Sequence, residues 1–133
     1  MVVLIVEDDA LIGAALAAVL LGAGHQSLGP ALDAQDALRL ADAYAPELAF
    51  VDITLAGHVD GVSVARTLTK RHGITCVFVT AELERARASS GFALGVVRKP
   101  YDPRMLPAVV SVVAAIRTGR LLPPAPRHFE LFD

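Results

Sequence analysis

Five runs of apolar residues alternate with stretches of helical periodicity along this chain. Val2–Val6 is apolar and rich in β-branched residues, as in a strand buried on both faces, and Glu7-Asp8-Asp9 follows at once. From Ala10 to about Leu21 the spacing predicts a helix capped by Asp9, with Leu11, Ala14, Ala15, Ala18, Val19 and Leu21 turned inward. Gly22 and Gly24 close it. His25–Gly29 predicts a short, weak strand. Asp33 then caps a second helix whose apolar face is Ala37, Leu38, Leu40, Ala41 and Tyr44, and Pro46 stops it. Leu48–Val51 is uniformly apolar and runs into Asp52, followed by a loop with Gly57, His58 and Gly61. A third helix starts at Asp60 or Gly61, runs through Val62, Val64, Ala65 and Leu68, and ends in Lys70-Arg71-His72 before Gly73. Ile74–Val79 is the fourth strand. A short polar helix with Glu82, Glu84, Arg85 and Arg87 leads to the fifth strand, Leu94–Val97. Asp102-Pro103 has the chemistry of a helix start, and the last helix extends to about Arg117 with Pro107 distorting its first turn.

A βα unit repeated five times predicts an α/β fold, a doubly wound parallel sheet of five strands with right-handed crossovers and helices on both faces. Residues 1–118 make up this domain. Residues 119–133 form a tail in which Pro123-Pro124-Ala125-Pro126 precedes His128-Phe129-Glu130-Leu131-Phe132-Asp133. At 133 residues, 54% hydrophobic and 20% charged, the chain is one folded domain. A net charge of −2 offers no footprint for nucleic acid. The uncharged runs fall short of the roughly 20 strongly apolar residues that cross a bilayer, so no membrane insertion is expected. The start lacks the basic region of a signal peptide, and the single cysteine, Cys76, reads as a buried reduced thiol. Both favour a cytoplasmic location.

Polar residues then gather where the strands end, the side of an open α/β sheet where ligands sit. Glu7 and Asp8 follow the first strand, Asp52 ends the third, Thr80 the fourth, and Lys99 follows the fifth. Each has an ordinary explanation alone: a helix start, a turn cap, a solvated lysine. Together they are harder to dismiss. Three carboxylates in one crevice repel each other unless a cation joins them, and such hard oxygen ligands suit Mg²⁺. Asp52 as nucleophile, a metal beside it, and Thr80 and Lys99 for the transferring oxygens meet the needs of phosphoryl transfer to a carboxylate.

The motifs Val6-Glu7-Asp8-Asp9, Val51-Asp52-Ile53-Thr54-Leu55, Asp60-Gly61, Val79-Thr80-Ala81 and Lys99-Pro100-Tyr101 resemble the receiver domain of two-component response regulators, over about residues 1–118. The resemblance implies a flavodoxin-like (βα)5 fold with strand order 2-1-3-4-5. It implies that Asp52 accepts a phosphoryl group from a histidine kinase or a histidine phosphotransfer protein. Asp8, Asp52 and the Thr54 backbone carbonyl would hold Mg²⁺ directly, Glu7 largely through water, and Thr80 and Lys99 would contact the phosphoryl oxygens. A cis Lys99–Pro100 bond is also implied. Thr54 and Glu82 occupy positions that flank the pocket in the family and tune the lifetime of the acyl phosphate. In one respect the chain departs from the pattern: the aromatic residue usual three positions before the lysine is Val96 here.

The function expected is that of a stand-alone receiver, a phosphorylation switch or relay intermediate that binds a downstream protein target. Catalysis would be limited to self-phosphorylation from small phosphodonors and autodephosphorylation. The alternative is a degenerate receiver that binds proteins without phosphorylation. A phosphohydrolase would want an acid at Thr54, and a flavin module would want a phosphate-cradling loop in place of Glu7-Asp8-Asp9. The first helix is uncharged, and so is Met105–Ile116, where Val110 and Val112 widen the stripe of Met105, Leu106, Val109, Val113 and Ile116. This predicts an apolar face covered by a second subunit, in a homodimer, or by Phe129, Leu131 and Phe132 of the tail.

Overall fold

The computed structural model describes residues 1–55 and 60–132, so Gly57 and His58 lie outside the described residues. Five parallel strands, β1 (Val2–Val6), β2 (Gln26–Ala31), β3 (Leu48–Asp52), β4 (Thr75–Thr80) and β5 (Gly95–Arg98), lie in the order 2-1-3-4-5. A sixth strand absent from the sequence expectation, β6 (Phe129–Leu131), pairs antiparallel with β5 and extends the sheet to six. Its three residues are too few to show a period, and the proline run before them reads as loop.

The helices are α1 (Ala10–Gly22), α2 (Ala34–Tyr44), α3 (Gly61–His72), α4 (Leu83–Ala88) and α5 (Leu106–Thr118). Asp9, Asp33 and Asp60 cap the first three through their carboxylates, each accepting from backbone N–H groups of the first turn. Gly73 and Gly119 end α3 and α5 in the left-handed conformation. A 3₁₀ turn, Pro103–Met105, precedes α5, so Pro107 falls at a position where a missing N–H costs little.

β1, β3, β4 and β5 each face two cores. Ala49 and Val51 of β3 pack with Ala37 and Ala41 of α2 and Val64, Ala65 and Leu68 of α3. Leu48 and Phe50, pointing the other way, pack with Leu16 and Leu20 of α1 and Leu106, Val109 and Val113 of α5. All five residues of β3 are buried, which makes it the axis of the fold.

Several packing expectations are corrected, among them Tyr44, expected on the apolar face of α2 but 61% exposed. The residues of α1 that turn inward are Gly13, Leu16 and Leu20, whereas Leu11 is 83% and Leu21 66% exposed. Ala14, Ala15 and Ala18 are exposed as well. A helix that is apolar all round carries no moment to set its rotation, so the choice falls to packing; Gly13 must face Pro30, where any Cβ would overlap the ring. On α5, Val110 and Val112 are buried within the chain itself, so they do not widen an exposed stripe. Nor does the tail cover α1. It lies along β5, with Phe129 and Leu131 joining the α1–α5 core and Phe132 the opposite one.

Candidate functional site

Register brings the acids together. Val6 pairs with Val51, so Glu7 and Asp52 emerge side by side from the same edge of the sheet. One carboxylate oxygen from each of Glu7, Asp8 and Asp52 lies within 4.8 Å of the others. Glu7 and Asp52 are buried and Asp8 is exposed, so the cluster opens to solvent on one side only.

Lys99 reaches the same crevice from the end of β5. Its Nζ donates to Asp52 Oδ2 at 2.8 Å, and the Thr54 backbone N–H donates to Asp52 Oδ1 at 2.9 Å. Both oxygens of Asp52 are thus oriented, one by a cation and one by the chain two residues on. The Lys99–Pro100 peptide is cis. Thr80 is buried at the end of β4; its carbonyl accepts from the Lys99 N–H at 3.0 Å and its Oγ1 from the Glu82 N–H at 2.9 Å. Thr54 is exposed, and its hydroxyl donates to Glu82 Oε2 at 3.1 Å.

Burial pushes the Glu7 carboxyl up to about 8, with its hydrogen bond to Asp52 and the Asp52 charge adding to the effect. Glu7 Oε2 is buried with no hydrogen-bond partner among the described residues. An acid held protonated beside two other carboxylates, with an orphaned oxygen, is what a cation would relieve. The donor set is all hard oxygen, which fits Mg²⁺. Below the acids, Ile5, Leu16, Phe50, Val79 and Tyr101 form an apolar floor. Burial, with the Glu7 and Asp52 charges, raises the Tyr101 hydroxyl to about 12, so it stays neutral beneath them.

The structure gives Gly61 and Arg85 roles at the site that the sequence reading did not assign. Gly61 sits directly under the end of β3, donates its N–H to the Ile53 carbonyl at 2.8 Å, and has no room for a Cβ, which would overlap the Asp52 carbonyl oxygen. Arg85 bridges the rim, meeting Asp60 Oδ2 at 2.6 Å and Glu82 Oε2 at 3.4 Å. The i, i+3 spacing of Glu82 and Arg85 on one helix was the available signal.

The family model for the response regulator receiver domain matches residues 3–111. The chain belongs to the response regulator receiver domain family. It is 32% identical to the transcriptional regulatory protein PdtaR of Mycobacterium tuberculosis over 119 residues, covering 86% of this chain and 58% of that protein. It is 32% identical over 114 residues to the phyllosphere-induced regulator PhyR of Methylorubrum extorquens, covering 82% and 42%. This receiver spans about half the length of the curated relatives it matches. Among solved structures, the receiver domain of NtrX from Brucella abortus superposes with a TM-score of 0.75 at 28% identity, covering 87% of this chain and 98% of that one. The anti-anti-sigma factor PhyR from Bartonella quintana gives 0.75 at 27% identity, covering 89% and 49%. Receivers of this family are signalling modules with the flavodoxin-like sheet order found here. No described helix is long and apolar enough to cross a membrane.

Proposed function

We propose that this receiver is switched by transfer of a phosphoryl group to Asp52 from the histidine of a histidine kinase or phosphotransfer protein. The observation that carries the reading is the state of Asp52: buried at the end of the central strand, with Lys99 on one oxygen and two further acids beside it. A carboxylate oxygen of Asp52 attacks phosphorus, the phosphorus–nitrogen bond breaks, and its electron pair returns to the imidazole. Glu7, Asp8, Asp52 and the Thr54 carbonyl would hold Mg²⁺, which neutralises charge on the transferring oxygens when bound. Lys99, already 2.8 Å from Asp52, supplies a cation for those oxygens, and the Thr80 hydroxyl, which accepts from the Glu82 N–H in the unmodified chain, donates to them after leaving that bond. The output is binding of a protein target.

Incubation with Mg²⁺ and acetyl phosphate, read by intact mass, tests this. A gain of one phosphoryl group that Asp52→Asn abolishes is expected. An unmodified chain under conditions that label other receivers would leave only a phosphorylation-independent binding module.

A further inference from the structure

The edge of β5 carries a feature that phosphoryl transfer does not use. Gly95 lies opposite Leu131, and a Cβ there would overlap the Glu130 carbonyl oxygen and crowd the Phe129 ring. The edge is therefore shaped for the close approach of another backbone. Phe129 fills a seat in the α1–α5 core, and Arg87 of α4 grips Glu130 with two bonds, 2.9 Å from Nε and 2.7 Å from an Nη. The ladder continues past the strand, from the Arg98 N–H to the His128 carbonyl at 2.7 Å and from the Phe132 N–H to the Leu94 carbonyl at 2.9 Å. Acceptor and ligand match in shape, apolar anchor and charge.

What joins them is mostly exposed. Residues 120–126 form neither helix nor strand, Leu121 is 96% exposed, and three of the four residues 123–126 are proline, which keeps the tether stiff and extended. Closing onto β5 in the same chain requires a turn in which Phe129 N–H donates to the Pro126 carbonyl at 3.2 Å and His128 takes φ 68°. Few residues other than glycine enter that region, although His is among those that do so most readily. Straightening the tether removes the turn while leaving the β5–β6 pairing, the Phe129 seat and the Arg87–Glu130 pair available from another chain.

We infer that the β5 edge is a strand-acceptor surface, and that its occupant in trans is the C-terminal segment of a second copy of this chain, exchanged for the chain's own β6. The exchanged form repeats the same ladder, the same Phe129 seat and the same Arg87–Glu130 pair, so only the tether and the loss of translational freedom separate the two states.

Arg87→Glu and Glu130→Arg chains of residues 1–133 each place like charges across their own seat, whereas both seats are complementary between them. Mixed at about 0.5 mM, within the range of effective concentrations set by a short tether, they are expected to form a species of twice the single-copy mass in light scattering. Neither chain should form it alone, and a chain carrying both changes should behave as the unmodified one. Gly95→Val, which blocks the seat but keeps the strand, mixed with Phe129→Ala, which does the reverse, gives a second, one-way test. If Gly95→Val fails to fold, the exposed charge pair decides alone. Single copies in every mixture of folded chains would overturn the inference, as would β6 amides that become exchangeable in the single variants without a two-copy species in the mixture.

Discussion

The Nζ of Lys99 stands 2.8 Å from Oδ2 of Asp52, across 47 residues of sequence, and is the cation that meets Asp52 in the acidic crevice. The Asp52 side chain is 9% exposed and that of Lys99 36%, so solvent screens the pair less than a surface ion pair, and removing Lys99 leaves a buried carboxylate uncompensated. Lys99→Met leaves Asp52 facing Glu7 and Asp8 without compensation. A loss of about 1–3 kcal/mol in metal-free denaturant unfolding is expected, with part recovered on adding Mg²⁺. An unchanged midpoint would show that solvent already screens the cluster.

Glu7 makes the metal-free domain sensitive to pH. Its carboxyl, raised from 4.5 to about 8, keeps in the native state a proton that the unfolded chain has lost. Stability therefore falls as pH rises between about 4.5 and 8. Thermal melts in chelator should drop across this window, and Mg²⁺ should stabilise more at its upper end, where it no longer competes with the proton. Glu7→Gln should flatten the profile; a slope that persists in that variant would place the titration elsewhere.

Gly61 and Gly22 should respond oppositely to alanine. At Gly61 the new Cβ would overlap the Asp52 carbonyl and crowd Ile53, so β3 and α3 must part, at about 1–3 kcal/mol. Phosphorylation of Asp52 should drop with it. Gly22 ends α1 in open space, and alanine there should stabilise by up to about 1 kcal/mol. Equal effects at the two sites in urea unfolding would contradict the packing described.

The rotation of α1 has its own test. Leu16→Ala opens the core and should cost about 2–5 kcal/mol, whereas Leu11→Ala should stay within about 0.5 kcal/mol. The reverse order would restore the rotation expected from the sequence.

Cys76 is buried, and burial pushes its thiol up to about 12. A disulfide-exchange reagent at pH 8 should leave it untouched in the folded chain and label it once denaturant is added. Rapid labelling of the native protein would mean that β4 opens far more readily than its packing implies.

Residue type and order alone determined the alternation of strands and helices, the caps at Asp9 and Asp33, and the gathering of acids, hydroxyl and lysine at one end of the sheet. Those signals are local, or follow from the topology that βα repetition imposes. Tertiary structure decided the rest. The turn of α1 about its axis rests on Gly13 meeting Pro30, a contact invisible in a helix apolar on every side. The burial of Val110 and Val112 depends on how broadly α5 is covered. The sixth strand exists because Gly95 leaves room for a backbone and Arg87 holds Glu130, two long-range facts that no period in residues 129–131 could announce. Local chemistry repeats along a chain and can be read from it. Complementarity between distant surfaces cannot, because it is a property of the two surfaces together.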